Sequence, residues 1–157
     1  MKRISLTKGK EALVDDQDYK YLMQWIWYYS AGYARRTVTR AGRRISIFMH
    51  NVVAARACIV GSPEIDHRNL DGLDNQRRNL RPATRVQQVQ HRGLRKDNRA
   101  RFIGVTERAR LRKWEARISV GGRYEYLGLH PTDRDAARAY NRAAIEYFGE
   151  FAVLNPV

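Results

Sequence analysis

The sequence predicts an α+β protein made of two small modules joined by a basic linker. Three observations predict it. Short β-rich runs alternate with turns through residues 1–48, a turn-rich polar stretch fills 60–81, and three β-rich runs precede one long alanine-striped helix in 102–157. Two modules sharing 157 residues each have room for only a small core.

Taken in order, Ile4-Ser5-Leu6 followed by Lys8-Gly9-Lys10 reads as a strand and a turn. Asp15-Asp16-Gln17-Asp18 supplies caps for a short helix, Tyr19–Trp25. The aromatic run Trp25-Ile26-Trp27-Tyr28-Tyr29 offers rings that stack on bases, or the anchors of a small core; the second reading is the default for so few residues. Tyr33–Thr39 and Arg44–Met49 are rich in β-formers, and Arg40-Ala41-Gly42-Arg43 between them makes a hairpin. Met49–Cys58 reads as a helix, with Val52, Val53 and Arg56 at helical spacing. Residues 60–81 read as loop, and Thr84 caps a helix running to His91. Residues 92–101, half of them Arg or Lys, form the boundary between modules. Beyond it, Phe102–Arg108, Lys113–Val120 and Arg123–Leu129 read as strands. Trp114, Ala116, Ile118 and Val120 alternate with polar residues, and Gly121-Gly122 makes a tight turn. Thr132 caps the last helix, whose stripe of Ala136, Ala137, Tyr140, Ala143, Ala144 and Tyr147 faces the sheet, and Gly149 ends it. The predicted modules are therefore 1–91 and 102–157, with 92–101 as linker. The second is a small three-stranded antiparallel sheet packed on one helix.

Charge narrows the function classes. Thirty Lys+Arg against sixteen Asp+Glu give +14, spread as +7 over 1–60, +4 over 61–100 and +3 over 101–157. So basic a chain, with Arg outnumbering Lys, points to nucleic acid, because the guanidinium fork matches phosphate and guanine edges. The lone Cys58 excludes an internal disulfide and a Cys-rich zinc site, and fits a reducing cytoplasm. Met1–Lys10 lacks the apolar segment of a signal peptide, and no 18-residue apolar stretch predicts a membrane span.

Chemistry-bearing residues concentrate in the middle. Asp66-His67 is followed by Arg77-Arg78-Asn79-Leu80-Arg81, and Gln88 lies four residues after Thr84. Hydrolysing a phosphodiester needs a base to activate water and a hard cation to stabilise charge; His suits the first and Asp the second. An isolated Asp-His pair carries little, but the whole stretch Ile65–Thr84, preceded by Met49-His50 and by Leu6-Thr7-Lys8-Gly9-Lys10, closely resembles the HNH homing-endonuclease family over residues 1–92. That resemblance implies a ββα-metal (HNH) nuclease module. It implies His67 as general base, Asp66 as ligand to one divalent metal, Mg²⁺ with Mn²⁺ as alternative and no zinc, and Asn79 as the brace of the catalytic loop. The family's third signature position aligns with Gln88, whose longer side chain departs from the usual Asn or His. His91, one turn on, is a substitute ligand, a phosphate contact or a solvated side chain.

In the second module, Phe102-Ile103-Gly104-Val105, Lys113-Trp114-Glu115-Ala116, Tyr126-Leu127-Gly128, Asp135–Ala144 and Phe148–Asn155 resemble the DNA-binding domain of Apetala-type (ethylene-response-factor) proteins over residues 101–156. By alternation the outward face carries Thr106, Arg108, Arg110, Glu115, Arg117, Ser119 and Arg123. The resemblance implies that the sheet reads DNA, with Arg108, Trp114, Arg117 and Arg123 as contacts. Thr106 stands where the family often has Arg, which weakens any transfer of target sequence. In the linker Arg92, Arg95, Lys96, Arg99 and Arg101 either track a DNA backbone or stay solvated.

The expectation is a sequence-directed, metal-dependent DNA endonuclease of nicking or homing type in a bacterial or phage-infected cytoplasm. It acts on double-stranded DNA, as a monomer, without membrane or protein partner. The rivals are a DNA-binding regulator that has lost catalysis and an RNA-binding protein.

Overall fold

The structure, a computed structural model, describes residues 1–157 except 63, 92 and 94–100. It is mixed α/β with small antiparallel sheets, and the chain divides into two compact units, Met1–Thr84 and Arg85–Val157.

In the first unit β1 (Lys2–Ser5) pairs with β2 (Glu11–Val14), placing buried Ile4 opposite buried Ala12. Helix α1 spans Asp16–Leu22, three residues earlier than expected at each end. Asp15 stands at its N-cap position, but its Oδ2 accepts the backbone N–H of Arg77 at 2.8 Å and makes no side-chain cap. Trp25 falls outside the helix. Trp27 is the aromatic anchor of the core, its Nε1 donating to Leu22 O at 2.9 Å. Strands β3 (Tyr28–Ser30), β4 (Tyr33–Arg40) and β5 (Arg43–Phe48) form an antiparallel sheet in that order. The β4–β5 turn is only Ala41-Gly42, both at positive φ, the conformation that matches strand twist in two-residue hairpins. Helix α2 (Met49–Arg56) buries Met49, His50, Val53 and Ala54. Val52 and Arg56 are not buried.

Residues 60–81 are not all loop. Strand β6 (Glu64–His67) pairs antiparallel with β7 (Leu80–Ala83). Four-residue strands with Pro82 in one of them carry no readable period, and the ribbon has two edges, where proline is tolerated. The ββα-metal module is not shown: β6 and β7 pair, but the helix after them, α3 (Arg85–Gln90), belongs to the second unit.

One ion cluster binds the first unit together. Asp18, on α1 and fully buried, accepts from Arg56 Nε at 2.9 Å and from Arg77 Nε and Nη2 at 2.7 and 2.8 Å. Its carboxyl is held below the ordinary 3.8 chiefly by the Arg77 hydrogen bonds, with Arg56 adding and burial opposing.

In the second unit β8 (Val105–Arg108), β9 (Lys113–Val120) and β10 (Arg123–His130) form a sheet with β9 central. The strand expected from Phe102 starts at Val105 instead. Gly104 turns through φ +70°, and the Ile103 backbone is satisfied by a side chain, Asn155, which accepts at 2.6 Å and donates at 3.1 Å. Helix α4 (Asp133–Phe148) is capped by Thr132, which accepts from Asp135 N, and is followed by Gly149 at φ +53°. Ala136, Ala137, Ala139 and Tyr140 are buried on it. Tyr147 is not core: it is 43% exposed, and its hydroxyl donates to Glu125 at 2.6 Å. The small side chains of α4 let it lie close to the sheet. A Cβ on Gly104 would collide with the Tyr140 ring and the Arg117 carbonyl.

Two outcomes follow from this packing. Gly104→Ala is expected to cost at least about 2 kcal/mol through overpacking and left-handed strain, lowering the melting temperature of the second unit by about 10 °C or more in calorimetry. For Asp18 the folded pKa lies below the unfolded one. Its stabilisation is therefore complete at neutral pH and is lost as pH falls through and below about 4. Asp18→Asn should lose roughly 3 kcal/mol at pH 7 and show a flatter acid limb in pH-dependent denaturation.

Candidate nucleic-acid interface

The middle segment is held by its own polar side chains. Asn79 Nδ2 donates to Asp74 O at 2.7 Å and Asn69 Oδ1 at 2.9 Å, while its Oδ1 accepts Asn69 N at 3.1 Å. Asp74 accepts from Asn69 Nδ2 and Gln76 Nε2, both at 2.8 Å. Backbone bonds between Leu13 and residues 73 and 75 tie this loop to β2. A polar loop can sit in a small core only if its groups are satisfied, and these side chains supply that.

His67, at the end of β6, is buried, edge-on to His50 at 5.0 Å between ring centroids and 5.9 Å from Tyr33. Burial pushes its pKa down, opposed by Asn75 and by Asp66, Asp71 and Asp74. Burial, with His67 nearby, lowers His50 to about 3. His50 Nδ1 and His67 Nε2 are buried without a hydrogen-bond partner. Asp66 stands opposite Arg81 in the β6–β7 ladder, and its Oδ2 accepts from Arg81 Nε at 2.9 Å. Gln88 lies on α3, and His91, just beyond it, is buried edge-on to Phe151, with 6.3 Å between centroids. Gln88 and His91 thus belong to the second unit, while Asp66 and His67 belong to the first. Among the described residues no group of three or more His, Cys, Asp or Glu is gathered to hold a metal ion. Of the expected metal ligands, Asp66 has its Oδ2 engaged by the Arg81 guanidinium.

The three-stranded sheet of the second unit offers a different surface. Opposed residues share a face, so Thr106 opposite Glu115, Arg108 opposite Lys113, Tyr124 opposite Ser119 and Tyr126 opposite Arg117 all point away from α4. Tyr124 and Tyr126 are 72% and 64% exposed. The Arg117 guanidinium lies 5.0 Å from the Tyr124 ring centroid. Arg108 is gripped by Glu115 through two hydrogen bonds of 2.8 Å, on Oε2 and Oε1. At the β8–β9 end, Arg110 and Arg112 are exposed in a helical turn, Arg112 at φ +49°.

Four expected contacts keep this face: Thr106, Arg108, Arg117 and, at its end, Arg110. Two do not. Trp114 and Arg123 share the α4 side with Ile118 and Val120, and Trp114 packs on the core. The alternation of β9 already placed Trp114 with Ala116; only the resemblance made it a contact. Tyr124, Tyr126 and Lys113 were missed. The signal was Tyr124 and Tyr126 two apart in β10, in register with polar β9 positions. Arg101 is exposed, pairs with Asp133 at 3.2 Å and lies over Phe102. Arg92, Arg95, Lys96 and Arg99 lie outside the described residues.

Curated relatives match part of the chain. Over 58 residues it is 48% identical to APETALA2-like protein 2 of Oryza sativa subsp. indica and 45% identical to the ethylene-responsive transcription factor WRI1 of Arabidopsis thaliana, each match covering 36% of this chain. Over 79 residues, 46% of the chain, it is 37% identical to the AP2-like ethylene-responsive transcription factor TOE2 of Arabidopsis thaliana. The chain spans only 13%, 14% and 16% of the length of these three relatives. No protein-family model matches the chain. The Apetala-type resemblance is supported. The endonuclease expectation is overturned, and with it the hydrolase, homing and magnesium-enzyme readings: the relatives are transcription factors, and nothing points to an HNH enzyme. No helix among the described residues is long and apolar enough to cross a membrane.

Asn79→Ala would leave the Asp74 carbonyl and the Asn69 amide without their partners. It is expected to destabilise the first unit by about 1–3 kcal/mol in chemical denaturation followed by Trp27 fluorescence.

Proposed function

We propose that the chain is a DNA-binding regulator that reads duplex DNA with the outer face of β8–β9–β10. The observation that carries this is the chemistry of that face. Arg117, Lys113 and Arg108 alternate with Thr106, Ser119 and two exposed tyrosines, on a sheet whose other side packs against α4. Arginine over an exposed aromatic ring is pre-organised to present its fork to a guanine edge or a phosphate. The Thr and Ser hydroxyls add short-range hydrogen bonds to base edges or backbone. Similarity to transcription factors agrees with this reading, and nothing in it requires a metal.

Arg108 has a particular place in it. Its clamp by Glu115 holds the guanidinium rigid and screens its charge, so Arg108 acts as a positioned donor, while Arg117, without a carboxylate partner in the described structure, carries the electrostatic share.

Selection of bound sequences from a random duplex pool, followed by fluorescence anisotropy, tests the proposal. Binding should persist in EDTA and fall steeply with salt. Arg117→Ala should weaken the selected site by about 1–3 kcal/mol, roughly 10- to 100-fold, and relax the preference at one position. Structured RNA competing better than duplex DNA, or a selected pool no different from the input, would sink the reading.

A further inference from the structure

The β4–β5 hairpin of the first unit carries a charge distribution that the fold itself does not use. Residues 19–63 contain no Asp or Glu, yet five arginines cluster at 35, 36, 40, 43 and 44. Several arginines elsewhere meet carboxylates: Arg3 with Glu11, Arg56 and Arg77 with Asp18, Arg108 with Glu115, Arg138 with Asp135. None of the five hairpin arginines forms an ion pair among the described residues. Register sets Arg40 directly opposite Arg43, an apposition of like charges that costs stability. Residues 39–46 are all exposed, so the distal half of the ribbon stands clear of the unit's core.

The base of the ribbon is held firmly. Arg36 lies 4.2 Å from the Trp25 ring centroid and 5.8 Å from that of Trp27. Arg35 lies over Tyr28 at 5.6 Å and donates to Ser30 Oγ at 2.6 Å, and Tyr28 and Thr37 hydroxyls share a 2.7 Å hydrogen bond. A rigid base with a projecting, uncompensated cationic end describes a surface built to meet a polyanion.

Its shape selects which one. Strand alternation puts Arg40 and Arg43 on one face with Ile45, and Arg44 on the other with Thr37, Thr39 and Ser46. A membrane or an acidic protein surface is approached from one side and would use one face. A two-stranded ribbon with cations on both faces fits a groove walled by two phosphate strands, and the major groove of B-DNA has the width for it. The Thr39 and Ser46 hydroxyls, beside Arg44 on its face, are phosphate donors. We infer that the β4–β5 hairpin is a second duplex-DNA contact, which enters the major groove and grips phosphates on both sides independently of sequence. This rests on the reading of the chain as a binder of duplex DNA.

The full chain is titrated by anisotropy against a 30-bp duplex of scrambled sequence and against its selected site, over a range of salt. Arg40→Ala/Arg43→Ala/Arg44→Ala should reduce the magnitude of the log–log salt slope by about 2–3, since each lost phosphate contact removes about 0.9. It should weaken both duplexes by the same factor, roughly tenfold or more at low salt, without lowering the melting temperature. Arg40→Lys/Arg43→Lys/Arg44→Lys should keep the slope. Should the alanine triple melt early, the single Arg43→Glu gives the same readout. An unchanged slope in the hairpin variants, with Arg117→Ala still weakening the selected site, overturns the hairpin and leaves the sheet reading standing. A hairpin variant that loses polyglutamate or structured RNA but keeps duplex DNA overturns it too. Failure of the unsubstituted chain to hold any duplex removes both readings together.

Discussion

Thirty cationic side chains share this chain with sixteen carboxylates, and the placement of those carboxylates organises everything else. A buried carboxylate is tolerable only with cations around it, and a cation so engaged becomes part of the scaffold. Asp18 draws Arg56 and Arg77 onto α1, and Arg77 in turn presents its backbone N–H to Asp15. Asp66 does the same for Arg81 across β6–β7. Arg117 on the outer sheet face and the arginines of the β4–β5 hairpin form no ion pair among the described residues, which leaves them open to a polyanion.

The two units solve the small-core problem in different ways. The first relies on size, with Trp27 filling the centre and Leu22, Met49 and Val53 around it. The second relies on closeness. Alanines along α4 and a glycine at 104 bring helix and sheet into near contact, and Asn155 closes the edge by standing in for a strand. Where helix and sheet lie this close, at Gly104 against the Tyr140 ring and the Arg117 carbonyl, there is little tolerance for added atoms. A rigid sheet is what a surface reading base edges requires, since hydrogen-bond discrimination depends on donor position.

The segment from Asp66 to Asn79 shows how the same residues support two readings. Asp, His and Asn in a turn-rich stretch are the ingredients of hydrolytic chemistry, and equally the ingredients of a loop that must satisfy its own backbone. Here Asn69, Asp74 and Asn79 bond one another and Asp66 meets Arg81. The side-chain types were legible in the sequence; their partners were not, because those partners are set by chain segments far away in number. The β4–β5 hairpin was legible as a hairpin, while the lack of an ion pair at its arginines among the described residues is a property of the folded arrangement.

By itself the sequence determined the elements with strong local signals. The alternation of Lys113–Val120, the Thr132 cap and the alanine stripe of α4 appear as read, because period, cap and turn chemistry act over a few residues. The basic character also follows from composition alone, and it points toward a polyanionic partner. Tertiary structure decided the rest. It chose Leu22 rather than Trp25 as the end of α1, formed β6 and β7 from runs without a period, placed α3 with the second unit, and turned Tyr147 to the rim. Several of those outcomes involve a contact between residues distant in sequence, such as Asp66 with Arg81 or Glu125 with Tyr147, and local propensity is too weak to anticipate such contacts.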